Sequence, residues 1–223
     1  MQRKLVFAEG EFYHVYNRGV EKREIFKDNN DRERFLRLLY VANATKNFEF
    51  RDINDLPLKK INRGDQLVAI GAYCLMPNHF HLLVKETVKG GISLFMGKFC
   101  TGYSMYFNKR HKRVGPLFQG RFKAQHANRD EYLKYLFAYI HLNPIKIIEP
   151  LWKESGIKDK IRAKRYLNNY RHSSYLDYIG TKREEGTILS VNEFPDYFSD
   201  RIKFGDFIYD WLTYGESENG GRS

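Results

Sequence analysis

The chain has 223 residues, 42% hydrophobic and 29% charged, enough for one domain with a sizeable core plus an appended region. Lys and Arg total 38 against 27 Asp and Glu, giving +11, and 16% of residues are aromatic, so a polyanionic partner whose bases stack on rings is the expectation. Two cysteines, Cys74 and Cys100, both in apolar stretches, exclude a disulfide framework and point to a reducing compartment. No apolar run approaches the roughly 18 residues of a membrane span. Met1-Gln2-Arg3-Lys4-Leu5 lacks the apolar core of a signal peptide, so the expected location is the cytoplasm.

In chain order, Phe12 to Asn17 reads as a first strand, ended by Asn17-Arg18-Gly19. Asp28-Asn29-Asn30-Asp31 offers helix caps, and Phe35, Leu38, Leu39 and Ala42 follow at helical spacing. Residues 51–66, polar and broken by Pro57 and Gly64, read mostly as loop. Leu67 to Leu75 is the next strand; Pro77-Asn78 punctuates, and His79 to Lys85 continues as a third. Ile92 to Asn108 reads as a long helix with Leu94, Phe95, Phe99, Tyr103 and Tyr106 or Phe107 on one side. The basic cluster Lys109-Arg110-His111-Lys112-Arg113 follows, then a turn through Gly115 and Gly120 into a short strand. Asp130 is placed to cap a last core helix from Glu131 to about Leu142. Pro144 should close that helix by pushing Asn143 out of helical geometry.

The order strand, helix, strand, strand, helix, strand, helix predicts an α+β fold, a ferredoxin-like antiparallel sheet packed with helices. Residues 1–150 are expected to form this domain. Residues 151–214 should form a small, mostly helical or irregular extension, and the Gly/Ser/Glu-rich 215–223 a disordered tail.

The chemistry concentrates in two places. In Met76-Pro77-Asn78-His79-Phe80-His81-Leu82, strand alternation puts His79 and His81 on one face and Phe80 on the other. Two imidazoles side by side suit a divalent metal. The helix before Pro144 carries Tyr132, Tyr135, Tyr139 and Asn143, and a tyrosine nucleophile beside a third ligand would fit the four-residue spacing of Tyr139 and Asn143. Spacing alone leaves the three tyrosines open, since all can share a face. Phosphodiester transfer needs a nucleophile, a Lewis acid and cations that place the strand. Arg18, Lys109, Arg110, Lys112, Arg113, Arg121 and Lys123 are the candidate phosphate contacts.

Six segments in this order carry a family resemblance. They are Tyr13-His14-Val15-Tyr16-Asn17-Arg18-Gly19, Met76 to Val84, Tyr106-Phe107-Asn108-Lys109-Arg110, Gly115 to Phe122, Tyr139-Ile140-His141-Leu142-Asn143-Pro144-Ile145-Lys146, and Tyr170-Arg171-His172-Ser173-Ser174-Tyr175. Over roughly 10–180 the sequence resembles the single-tyrosine transposases of the HUH superfamily, and within them the bacterial REP-associated tyrosine transposases. The resemblance implies that His79 and His81 bind Mg²⁺ or Mn²⁺, that Asn143 is the third ligand and that Tyr139 is the nucleophile. It also implies a ferredoxin-like palm, a single-stranded and often hairpin-forming DNA substrate, and a 5′-phosphotyrosine intermediate in a bacterial cytoplasm. A non-cutting single-strand binding module derived from such an enzyme is the second expectation. Monomer and homodimer stay open.

Overall fold

A computed structural model describes residues 5–46, 49–197 and 201–213. The expected disordered tail, 215–223, lies outside the described residues. Four strands, β1 (Phe12–Arg18), β2 (Val68–Met76), β3 (His79–Glu86) and β4 (Lys123–His126), form one antiparallel sheet in the order β2-β3-β1-β4. Helix α1 (Asn29–Ala42) links β1 to β2, a single turn α2 (Phe50–Ile53) lies in that connection, and α3 (Gly91–Arg110) links β3 to β4. Each long crossover skips one strand, which is the split βαβ arrangement of a ferredoxin-like fold. Helix α4 (Asp130–Leu142) follows β4, then α5 (Ile145–Ile148), α6 (Trp152–Ser155), α7 (Lys160–Asn169), α8 (Tyr175–Tyr178) and α9 (Arg201–Thr213).

Alternation sorts each strand between two layers. Tyr13 and Val15 of β1 and Phe80, Leu82 and Val84 of β3 pack under α1 and α3 with Phe35, Leu39, Phe95, Phe99, Tyr103 and Phe107. Phe80 stacks edge-on to Phe99 and tilts against Phe35, fixing the strand so that its neighbours His79 and His81 face the other way. Leu94 corrects the predicted apolar face of α3: it is 53% exposed, while Ile92 and Met96 are buried instead.

The second face carries small side chains on β2, namely Ala69, Ala72 and Cys74. These let α4 approach closely with Leu133, Leu136, Phe137 and Ile140. A register shift between Ile70 and Ala72 brackets Gly71, where a Cβ would stand 2.6 Å from the Phe194 ring, so only glycine fits under that ring.

The free edge of β2 is covered by the segment after α7. Leu75 N–H donates to the His172 carbonyl, Ser174 N–H to Tyr73 and Ser190 N–H to Ile70, satisfying an edge that would otherwise pair with another chain. The described residues beyond 151 form short helices and irregular stretches, and this seam ties them to the sheet.

Two helix ends differ from expectation. Arg129, not Asp130, sits at the N-cap of α4; Asp130 is the first helical residue and pairs with Lys134 one turn on. Asn143 keeps helical angles (φ −52°, ψ −38°) in front of Pro144, so the chain runs on into α5 instead of turning away. Its side-chain amide, donating to the Tyr139 carbonyl at 3.0 Å, and the Lys146 N–H to Asn143 O bond hold that geometry against the proline preference.

Candidate active site

The site lies on the sheet face beneath α4, where pairing registers align polar side chains. Tyr16 opposes His81, Arg18 opposes His79, and on β2 Cys74 opposes His81 and Met76 opposes His79. Directly opposed residues share a face. His14, two residues before Tyr16, therefore joins them, one rung along beside Leu83.

The imidazoles make a connected group. His14 Nε2 lies 2.8 Å from His81 Nδ1, with both residues buried. His79 Nδ1 lies 2.6 Å from Asn78 Oδ1, and the rings of His79 and His81 meet edge-to-face with centroids 5.0 Å apart. The Asn78 amide nitrogen donates to the Lys22 carbonyl, so its oxygen is the atom turned to His79 and accepts the Nδ1 proton. The lone pair of His79 is then on Nε2. The Nε2 of His81 is buried without any hydrogen-bond partner.

All three rings are held neutral at pH 7. Burial, with Lys153 nearby, lowers His14 to about 4. Burial first, then Arg18, Lys146 and Lys153, lowers His79 to about 4. Burial, the other two histidines and the same two lysines push His81 well below its ordinary value. Neutral imidazole is the form that donates a lone pair to a metal.

Helix α4 lays one tyrosine on this group. The Tyr139 ring stands edge-on to His81 (centroids 5.5 Å) and to His14 (5.6 Å). Tyr135 stacks on Tyr139 and touches Trp211, and Tyr132 stacks on Tyr135, each one step further from the histidines. The geometry thus separates the three tyrosines that helical spacing leaves equivalent. Asn143 is buried one turn beyond Tyr139; its Nδ2 is taken by the Tyr139 carbonyl, which leaves the amide oxygen as the donor atom for a cation. Among the described residues no three His, Cys, Asp or Glu side chains gather as a metal site. The side-chain atoms that could meet a cation here are the imidazole nitrogens of His79 and His81 and the amide oxygen of Asn143. A hard divalent ion bound there would keep waters or phosphate oxygens in its remaining positions.

Lys153 is the contact that sequence reasoning missed most plainly. Its ammonium sits 3.8 Å from the Tyr139 ring centroid. Together with Lys146 it arrives on α5 and α6, past the proline where the last core helix was expected to end. His14 was also missed as a site residue; its signal was the His14-Val15-Tyr16 alternation, which mirrors His79-Phe80-His81.

Of the predicted phosphate contacts, Arg18 stands exposed opposite His79, and Lys123 stands exposed opposite Tyr16 on the same face. The others are elsewhere. Lys109 and Arg110 line a groove of about 1100 Å³ between α1 and α3, in the layer under the other sheet face. The Arg110 guanidinium is committed to Asp28 (2.7 Å) and the buried Asp31 (2.6 Å). Arg113 donates to Asn108 Oδ1, and Lys112 sits in the turn after α3 with φ 49°. Arg121 lines a separate cavity of about 590 Å³ with Asn17, Glu86 and Phe122.

Residues 58–143, which hold β2, β3, α3, β4 and α4 and with them His79, His81, Tyr139 and Asn143, match the family model of IS200-like transposases. This is the family to which the sequence segments point. Among solved structures the chain is similar to a REP-associated tyrosine transposase bound to a REP hairpin, at 12% identity and a TM-score of 0.47, over 83% of this chain and 90% of that one. No curated protein sequence matches the chain. Among the described residues no helix is long and apolar enough to cross a membrane.

Proposed function

We propose that this chain is a metal-dependent single-stranded DNA endonuclease and strand transferase that works through Tyr139. One observation carries the reading: Tyr139, the one tyrosine of α4 whose ring meets His14 and His81, shares with His79 and His81 a stretch that matches IS200-like transposases. In the reaction the Tyr139 phenolic oxygen bonds to the scissile phosphorus and gives up its proton to water. The P–O3′ bond breaks, and the leaving oxygen takes a proton to become a free 3′-hydroxyl. The 5′ side stays on the protein as a phosphotyrosine, whose retained bond energy allows a 3′-hydroxyl to reverse the attack.

His79 Nε2, His81 Nε2 and the Asn143 amide oxygen would hold the divalent cation, Mg²⁺ or Mn²⁺. Once bound, the cation supplies Lewis acidity to a phosphate oxygen. The chain's own residues do the rest. Lys153, Lys146 and Arg18 bring positive charge to the mouth of the site, where the phosphodiester must enter. The Tyr135 and Tyr132 rings continue the stack from Tyr139 along α4, a surface suited to unpaired bases.

The test is a denaturing gel of the protein incubated with labelled single-stranded DNA hairpins and Mn²⁺, wild type beside Tyr139→Phe. Label retained on the wild type and absent from the variant, with hairpin affinity unchanged, is the expected result. Tight binding with no retained label on any hairpin would instead leave a binding module that does not cut. Adduct on the variant would move the nucleophile to another residue.

A further inference from the structure

We propose that His14 is a positioning residue: it accepts the Nδ1 proton of His81 and so holds that ring in the tautomer whose Nε2 carries the lone pair. The inference rests on the reading of His79 and His81 as cation ligands.

His14 Nε2 and His81 Nδ1 are 2.8 Å apart, and in the neutral pair one proton lies between them. If His14 owned it, His81 would carry its own proton on Nε2. That atom is buried and has no partner, so the fold would bury an unpaired N–H, an orphan that proteins rarely keep. If His81 owns it, Nε2 is an in-plane lone pair, the group a cation takes up. The neighbouring ligand shows the same arrangement. Asn78 Oδ1, oriented by its own bond to the Lys22 carbonyl, accepts from His79 Nδ1 and frees its Nε2. Asn78 and His14 are thus two acceptors set behind two ligands, each occupying Nδ1. Such outer partners fix ring orientation and raise ligand basicity.

The fold holds His14 in place for this. Its ring packs against Tyr16 (centroids 5.0 Å) and lies side by side with His81 (5.0 Å), with Tyr139 edge-on at 5.6 Å. The β1–β3 register brings it there across 67 residues of sequence.

The experiment reads the tautomer directly, by long-range ¹H–¹⁵N correlation on metal-free, ¹⁵N-histidine-labelled protein at pH 7.5, and then titrates Mn²⁺ by electron paramagnetic resonance. In the wild type His81 should carry its proton on Nδ1. In His14→Leu the His81 signals should move toward the Nε2–H form, and Mn²⁺ affinity should fall about 10- to 100-fold. His14→Gln, whose amide oxygen can accept the same bond, should keep the wild-type tautomer and most of the affinity, which separates positioning from packing. A wild-type His81 protonated on Nε2, or a folded His14→Leu that binds Mn²⁺ as tightly as wild type, would overturn the proposal. A wild type that takes up no Mn²⁺ would remove the ligand reading, while the tautomer measurement still decides the role of His14.

Discussion

His81 and His141 are both buried, both neutral at pH 7 and both in contact with α4 side chains, yet they are built for opposite ends. His141 spends both nitrogens. Its Nδ1 donates to the Phe137 carbonyl at 2.8 Å, and Ser174 donates to its Nε2 at 2.7 Å while accepting from the Tyr73 N–H. That chain of bonds stitches α4, β2 and the edge-covering segment together. His81 spends only Nδ1 and keeps Nε2 buried and unpaired. A buried polar atom without a partner costs stability, and the proposed function gives this one its use, as a lone pair kept for a cation beside a second imidazole and a tyrosine.

The sharpest way to break this contrast is His81→Ala. Adduct formation should fall on the order of a hundredfold to a thousandfold, the several kcal/mol that a Lewis acid on the phosphate supplies. Mn²⁺ binding should be lost along with it. The checks are the labelled-hairpin gel and a metal titration. Undiminished adduct from the variant in the presence of a chelator would take the cation out of the reaction.

The converse change is His141→Leu. It removes two hydrogen bonds in a fully buried position, leaving the Phe137 carbonyl without its side-chain donor and the Ser174 hydroxyl without its acceptor. Unfolding free energy should drop by about 2–4 kcal/mol, measured by urea denaturation. Adduct yield per folded molecule should stay near wild type. A folded variant with normal stability but no adduct would mean that His141 belongs to the chemistry and that the comparison is wrong.

Acid sharpens the same point. Burial lowers His141 to about 3, below its ordinary 6.5, so between those values the unfolded chain binds a proton that the fold refuses. The contribution of this group is therefore flat above about pH 6.5 and falls as pH drops toward 3. His172, lowered to about 4 mainly by burial, adds to the slope. The melting temperature should decline from pH 6.5 to 4.5, and less steeply in His141→Leu, which lacks one of these titrations. Equal slopes in the two proteins would place the acid sensitivity elsewhere.

How much of this was legible in the sequence follows from how far each feature reaches along the chain. Strand alternation put His79 and His81 on one face with Phe80 in the core, and helical spacing put Tyr139 and Asn143 on one side of α4, because both are local periodicities. His14 was not legible as a partner of His81. The pairing depends on β1 lying beside β3 in one register, and a long crossover separates them. Lys153 was hidden by Pro144, read as the end of the last core helix, and by a domain boundary expected at 150; Asn143 keeps helical angles, and the chain goes on to α5 and α6, which bring two lysines back over the site. Charge counting also failed to sort the basic residues, since nothing in Lys109-Arg110-His111-Lys112-Arg113 says that Asp28 and Asp31 wait for Arg110 and that Asp31 also meets His111.

The smallest expected effect tests that sorting. Lys153 lies over Tyr139, and among the described residues no carboxylate pairs with it, whereas Arg110 is bidentate to Asp28 and also bonded to Asp31. A cation already neutralised by carboxylates has little charge left for a phosphate, and one at the site mouth releases a counterion when DNA binds. Lys153→Gln should weaken hairpin binding a few-fold at 150 mM salt and reduce the slope of log affinity against log salt by about 0.7–0.9. Arg110→Gln should leave the slope unchanged and lower the melting temperature, because it strips the buried Asp31 of a partner. Fluorescence anisotropy across a salt series measures both. The reverse pattern, a slope lowered by Arg110→Gln and untouched by Lys153→Gln, would run the DNA along the groove between α1 and α3 and away from Tyr139.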